Sequence, residues 1–261
     1  MKHVPTIAMR ELRSLFVSPV AYAVLSLFAA LAGLFFILNV AAYNAYVMQL
    51  RQFQATEQLA QLNLNDQLIG GFFDAMTSVL LFLVPGITMG LFVSEKTNGT
   101  QELLMTSPLS VWDIVLGKFA AAAAFVTILV AMVGAFPGLL FVYGNPELGK
   151  TLSGLLGVLL VGWTYVAIGT FASSVTRSHV VSFLVAFVLL IVMALLPAIS
   201  GLGVMTGVGG LGEVFSWLST GTHFGELLTG LIDTADIIYF VVIIGSFLLM
   251  TRAAVESVRW R

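Results

Sequence analysis

Six stretches of the chain contain no Asp, Glu, Lys or Arg: Ser14 to Leu50, Ala75 to Ser94, Phe119 to Pro146, Thr151 to Thr176, Ser178 to Gly212 and Ile237 to Thr251. About 20 apolar residues cross the hydrocarbon of a bilayer, and a charge at the centre of a crossing helix costs about 2.5–3.5 kcal/mol. Five of the runs are long enough to cross unaided. The sixth crosses if it recruits Thr234 and Ala235 and lets Asp236 and Arg252 snorkel outward. The predicted spans are Pro19 to Tyr43, Ala75 to Val93, Phe119 to Tyr143, Thr151 to Ala172, Val180 to Ser200 and Asp233 to Thr251. The fold class is therefore all-α, a polytopic membrane protein with six transmembrane helices in one domain over residues 1–261. From Val20 to Val40 the first run exceeds a cleavable signal core, so it is read as an uncleaved helix.

The segments between spans carry further pattern. Before the first span, Val4, Ala8, Leu12, Leu15 and Phe16 share one helical face and Arg10, Arg13 and Ser14 the other. Bounded by Pro5 and Pro19, residues 1–18 read as an amphipathic helix on the membrane surface. Asn44 to Asp74 is rich in Gln and is expected to be helical. Gly201 to Ile232 combines Gly201, Gly203, Gly207, Gly209, Gly210 and Gly212 with Phe215, Trp217, Leu218 and Phe224. Glycine-rich backbone at membrane depth survives only when buried against protein or lining a cavity, so 201–232 reads as a re-entrant or interfacial hairpin. Small-x-x-x-small spacings at Ala29 and Gly33, Gly86 and Gly90, and Gly134 and Gly138 offer seams for helix packing.

Composition agrees: 59% of residues are hydrophobic and 9% charged, too few to coat a water-soluble globule. A net charge of −2, with the basic residues scattered among loops, gives no basis for nucleic-acid binding. Without Cys there is no thiolate catalysis, disulfide or Cys-ligated metal. With the amino terminus cytoplasmic, nine basic residues (Lys2, Arg10, Arg13, Lys96, Lys118, Arg177, Arg252, Arg259 and Arg261) fall inside and two (Arg51 and Lys150) outside. The positive-inside rule then puts both termini in the cytoplasm.

One match has to be set aside. Gly144-Asn145-Pro146-Glu147-Leu148-Gly149-Lys150-Thr151 fits the phosphate-loop pattern at every specified position. That loop works where a strand delivers it to a helix amino terminus. Here two membrane helices flank it, on the side away from cytosolic ATP, and it reads as an interhelical turn. A hydrolase within the membrane would need a Ser and His, or paired carboxylates, at membrane depth. His3, His179 and His223 all lie at or beyond predicted helix ends, so no catalytic residue and no metal site is assigned. A channel or secondary transporter not driven by an ATPase is the alternative reading. It lacks ionisable groups inside the spans, although Pro85, Pro137 and Pro197 can break helices there.

The 95–118 segment is neither a loose linker nor a span. Thr100 can cap a helix with Glu102 in its first turn, Leu103 and Leu104 form an apolar ridge, and Ser107-Pro108 stops it. An amphipathic helix projecting into water with exposed leucines awaits a partner. Glu95, Lys96, Gly99, Thr100, Glu102, Leu103, Leu104, Pro108, Gly117 and Lys118 resemble the signature of ABC type-2 exporter permeases. Glu11-Leu12, Leu15-Phe16, Ser18-Pro19 and Ala21-Tyr22 resemble the amino-terminal signature of the gliding-motility and nitrous-oxide-reductase-maturation branch. The tail does so too, through Leu218-Ser219, His223-Phe224, Gly230, Ile232-Asp233, Asp236, Tyr239-Phe240 and Arg252.

The resemblance implies a membrane subunit in a bacterial inner membrane. It rests on a cytosolic ABC ATPase dimer and stands beside a second permease copy, identical or a close paralogue. ATP and Mg belong to the partner, and this chain holds no cofactor. Glu95, Lys96, Gly99, Thr100, Glu102, Leu103, Leu104 and Pro108 would be the coupling residues, and Arg10, Glu11 and Arg13 would belong to the interface helix. Whether an extracytoplasmic auxiliary subunit meets the Asn44 to Asp74 segment is left open by the sequence, and His223, read from the 201–232 segment itself, is expected as a hydrogen-bonding or lipid-interface residue of the outer cap. The work done is export of cargo or transmission of force.

Overall fold

The computed structural model describes residues 3–55, 57–58, 62–100, 109–143, 146–205 and 217–257. Among them there is no strand, and six helices are long and apolar enough to cross a membrane. Helix α1 spans Val4–Val17 and α2 spans Pro19–Gln52. Helix α3 runs over Asn65–Thr97, opening with a π-helical turn at Asn65–Gly70. Next come α4 (Val111–Tyr143), α5 (Leu148–Val175) and α6 (His179–Met205). The short α7 (Thr220–Leu228) and α8 (Thr234–Ser257) complete the chain.

Local chemistry sets the boundaries. Ser18 adopts extended backbone and its hydroxyl accepts from Val20 N–H at 3.3 Å, while Pro19 opens α2, so α1 and α2 are separate rods. Ser110 and Asp113 form a capping box at the start of α4: the Ser110 Oγ accepts from Asp113 N–H and donates to Asp113 Oδ2. At the end of α3, Gly99 takes φ +70°, and Thr100 N–H reaches back to the Glu95 carbonyl at 3.0 Å, a Schellman stop. Helices α3 and α4 thereby extend into the predicted 95–118 loop, leaving 98–110 as the connection. The expected helicity after Asn44 holds in part: α2 continues to Gln52 and α3 begins at Asn65.

Helix α5 is the axis of the bundle. It touches α3, α4, α6, α7 and α8, and 72% of its most apolar window is buried, against 17% for α2 at the periphery. Its glycines allow this. A Cβ on Gly154 would lie 2.7 Å from the Phe73 ring, one on Gly157 3.0 Å from Phe224, and one on Gly162 2.8 Å from Val126. At Gly169 it would lie 2.1 Å from the Thr88 hydroxyl. Lipid tails are as apolar as leucine, so close backbone approach, and not burial from water, selects this packing.

The α3–α5 seam is also where α3 is interrupted. The regular helix stops at Thr88 and resumes at Gly90, with the break at Met89. Ser173 of α5 fills the gap, donating to the Met89 carbonyl at 3.0 Å and accepting from Phe92 N–H at 3.0 Å. An outside hydroxyl thus replaces rungs of the ladder, which a bilayer interior could not hydrate. Pro137 and Pro197, by contrast, sit inside unbroken helices.

Of the seams expected from small-residue spacing, Gly134 abuts Leu155 and Gly33 the Phe136 ring, whereas Gly86 and Gly138 face nothing within 4 Å. Gly169→Ala should therefore overpack the α3–α5 seam at a cost of about 1–3 kcal/mol, lowering the thermal midpoint of purified protein. Gly86→Ala and Gly138→Ala should leave that midpoint unchanged. A Gly169→Ala protein as stable as its parent would mean that α3 and α5 do not approach so closely.

Candidate functional site

At the α1 end of the bundle Glu11, Glu95, Gly117 and Lys118 come together. Ile7, the buried residue of α1, drops into a notch above Gly117, where a Cβ would come within 2.6 Å of its Cγ2. This anchors α1 along the first turns of α4. Val4, Ala8, Leu12, Leu15 and Phe16 are half-buried and Arg10, Arg13 and Ser14 exposed, the division expected of an amphipathic helix. Ile7 and the half-buried Glu11 join the inner face.

Lys118 of α4 is 2% exposed and ties three elements together. Its ammonium donates to the Leu91 carbonyl at 2.6 Å, to Glu95 Oε1 at 2.7 Å and, more distantly, to Glu11 Oε1 at 3.5 Å. The Phe92 ring lies beneath it at 5.3 Å. A cation at such depth requires paired acceptors, and here two carboxylates and a carbonyl supply them. Arg10 pairs with Glu11 at 2.8 Å on the outside, an exposed contact worth little by itself. Beside this cluster lies a cleft of about 780 Å³ with Arg10, Glu11 and Glu95 on its walls, and both Thr100 and Leu109 at its edge.

The other predicted residues divide. Lys96 turns inward and donates to the carbonyls of Ser174 and Thr176, neutralising the exposed carbonyl end of α5. Gly99 supplies the left-handed stop, and Thr100, expected to cap a following helix, points its hydroxyl back toward the Glu95 carbonyl at 3.4 Å. Glu102, Leu103, Leu104 and Pro108 lie outside the described residues.

At the opposite end, the phosphate-loop look-alike is occupied by its own neighbours. Asn65 accepts from Glu147 N–H at 2.9 Å and donates to the Glu147 carbonyl and the Thr151 hydroxyl, while Lys150 pairs with Asp66 at 3.2 Å. The Lys and Thr that would meet a phosphate and its metal are engaged in joining α3 to α5, and no strand precedes them among the described residues.

Helix α7 packs on the Gly154–Gly157 notch of α5 and is pinned to α8 by a buried polar knot. His223 Nδ1 lies 2.6 Å from Asp236 Oδ1, and Nε2 lies 3.0 Å from the Trp217 carbonyl. A carbonyl and an ionised carboxylate only accept, so either both ring nitrogens carry protons or the carboxyl keeps one; ring and carboxylate hold two protons between them. Tyr239 stacks on the imidazole at 4.0 Å and donates to the Leu218 carbonyl at 2.7 Å. Asp236 was expected to snorkel outward, but it is 1% exposed. The correction has a physical cause: α7 folds back over the start of α8 and brings a hydrogen-bonding ring to the carboxylate. Of the 201–232 hairpin, residues 206–216 lie outside the described residues.

Breaking a buried ion pair by removing one partner costs about 3–5 kcal/mol. Lys118→Met should destabilise the protein on that scale. Combined with Glu95→Gln in a double-mutant cycle, it should show a coupling of about 1–3 kcal/mol in denaturant unfolding. Strict additivity would mean that Glu95 does not hold the ammonium.

No curated protein matched the chain. A family model described as ABC-2 family transporter protein matches residues 5–255. That match takes in nearly all of α1 and of the six membrane-spanning candidates, the Lys118 cluster and the α7–α8 knot, and the chain belongs to the ABC-2 family of transporter membrane proteins.

Proposed function

We propose that this chain is the permease half of an ATP-driven ABC transporter, with its coupling surface at the α1 end of the bundle. Permeases of this family generally pair with ABC ATPases and have no catalytic domain of their own. The observation that carries the reading is the buried Lys118 cluster. It joins the amphipathic helix through Glu11, the end of α3 through Glu95 and Leu91, and the start of α4, so the segment between α3 and α4 is held at both flanks. A partner pressing on Glu102, Leu103, Leu104 and Pro108 would load three helices at once. Glu95, Lys96, Gly99 and Thr100 then form the rigid base of the coupling segment. Lys96 carries the load to α5, and Arg10, Glu11 and Arg13 border the partner.

In this reading residues 1–261 are one transmembrane domain, with 1–18 as interface helix, 95–118 as coupling region and 201–232 as re-entrant cap. Both termini are cytoplasmic, as the distribution of basic residues favours. Two copies, identical or closely related, stand side by side on an ATPase dimer. ATP closes the partner and drives export of cargo or transmission of force, because the two states differ in affinity for nucleotide. The branch suggested by the terminal motifs is that of gliding motility and nitrous-oxide-reductase maturation, where an auxiliary subunit would meet the segment from Asn44 to Asp74.

Purified from its native membrane, the protein should bring an ABC ATPase with it in equal amount. Leu104→Asp places a charge in the proposed apolar contact, and substrate-linked ATP turnover of the reconstituted complex should fall at least about tenfold while membrane insertion is kept. Unchanged turnover would remove this segment from the mechanism, and nucleotide hydrolysis by the isolated chain would overturn the reading altogether.

A further inference from the structure

At the α7 end, a cavity of about 200 Å³ opens between α3, α5, α6 and α7. Its size is on the order of the ~150 Å³ cavity that admits benzene in a small soluble protein. The apolar wall includes Leu81, Val161, Met193 and Phe224, and the polar wall Asp74, Thr77, Ser78, Tyr165 and Thr220.

The donors of that polar wall are largely committed elsewhere. Thr77 donates its hydroxyl proton to the Asp74 carbonyl at 2.8 Å. Tyr239 gives its proton to the Leu218 carbonyl, so the 3.2 Å contact between Thr220 and Tyr239 uses the proton of Thr220. Both threonine oxygens are left as acceptors toward the cavity. The Asp74 carboxylate stands exposed at the mouth, and among the described residues no lysine, arginine or histidine lines the cavity. Tyr165, only 7% exposed, brings a phenol with no hydrogen-bond partner among the described residues into the same space. A buried polar group so placed, in surroundings this apolar, calls for a partner.

From this geometry we infer that the cavity binds an amphipathic ammonium compound. The N–H donors face Asp74, Thr77 and Thr220, and an apolar body lies along Met193 and Phe224. An anion would meet the Asp74 carboxylate with no cation to compensate, and an uncharged apolar guest would bring no donor to the Asp74 carboxylate, the threonine oxygens or the phenol oxygen of Tyr165, which acts here as an acceptor. Charge-assisted hydrogen bonds to acceptors fixed on packed helices suit an ammonium with several N–H donors, and the aromatic rings of Tyr165 and Phe224 favour its positive charge. The site itself needs no ATPase partner. Its identification as the station from which exported cargo leaves does rest on the function proposed above. The ammonium can belong to a free amine or to the ethanolamine headgroup of a lipid.

The test is binding of benzylamine, benzyl alcohol and benzoate to the full-length protein without nucleotide, in phosphatidylglycerol nanodiscs, read by saturation-transfer NMR. Benzylamine should bind tightest and benzoate should not bind. Asp74→Asn should weaken benzylamine about tenfold and leave benzyl alcohol within about twofold, and Tyr165→Phe should weaken both about threefold. In phosphatidylethanolamine nanodiscs, a weakened benzylamine signal assigns the native ligand to the lipid headgroup, and an unchanged one to a free amine. Equal affinity for the three probes, or an Asp74→Asn protein that binds benzylamine like its parent, overturns the inference. Asp74 is exposed and makes no ion pair among the described residues, so its replacement does not threaten folding. Because no ATPase enters the measurement, failure here is separable from failure of the coupling reading.

Discussion

Close contact between α3 and α5 is the constraint on which the arrangement turns. Within a bilayer, burying one apolar side chain against another gains little over burying it against lipid. What distinguishes the observed packing is the fit of Thr88 over Gly169 and the insertion of the Ser173 hydroxyl into the break at Met89. Both features belong to a fixed register: a shift of α5 by one residue would carry Ser173 away from the break and leave backbone groups unpaired in a medium that offers no water. The other helices are ordered around this pair, α4 and α8 beside α5, and α1 and α7 at the two ends.

Charge is confined to those ends and organised differently at each. Lys118 is enclosed by acceptors from α1 and α3, and Lys96 covers the carbonyl end of α5, so two cations at the α1 end act as internal fasteners and are not free surface charges. The far end is acidic and acceptor-rich: Asp236 engages His223 through Oδ1, while Asp74 stays at the mouth of a cavity. Helix α3 spans the distance, with Glu95 near one terminus and Asp74 near the other.

Much of the fold was legible because charge-free runs report membrane spans directly, and all six were found with longer ends. The ends were misjudged because a helix continues past the hydrocarbon wherever a cap or partner supports it, as Ser110 with Asp113 and Asn65 with Glu147 do. The tight glycines escaped notice for a geometric reason. Gly154, Gly157, Gly162 and Gly169 each face a different neighbour, so they do not repeat every four residues as a seam between two helices would. Asp236 was misread because a boundary acid looks alike whether it meets water or a ring folded back onto it. The signature residues near 95–118 were visible as a set, but the pairing of Lys118 with Glu11, 107 residues away, depends on α1 docking through Ile7.

The break at Met89 links these themes. It divides α3 into Gly71–Thr88, which carries the acceptors of the cavity, and Gly90–Thr97, which carries Glu95. On the proposed function, load applied beyond Thr97 enters the shorter piece, and an unbroken ladder would pass it straight to the cavity. Here the ladder is completed by Ser173, so the load is shared with α5, which already receives it through Lys96 bound to its carbonyl end. Helix α5 in turn supports α7 through Gly157 under Phe224 and through Ser153, whose hydroxyl donates to the Leu227 carbonyl at 2.7 Å. On that function, the route from the coupling surface to the roof of the cavity runs through α5, the most buried of the six candidate spans.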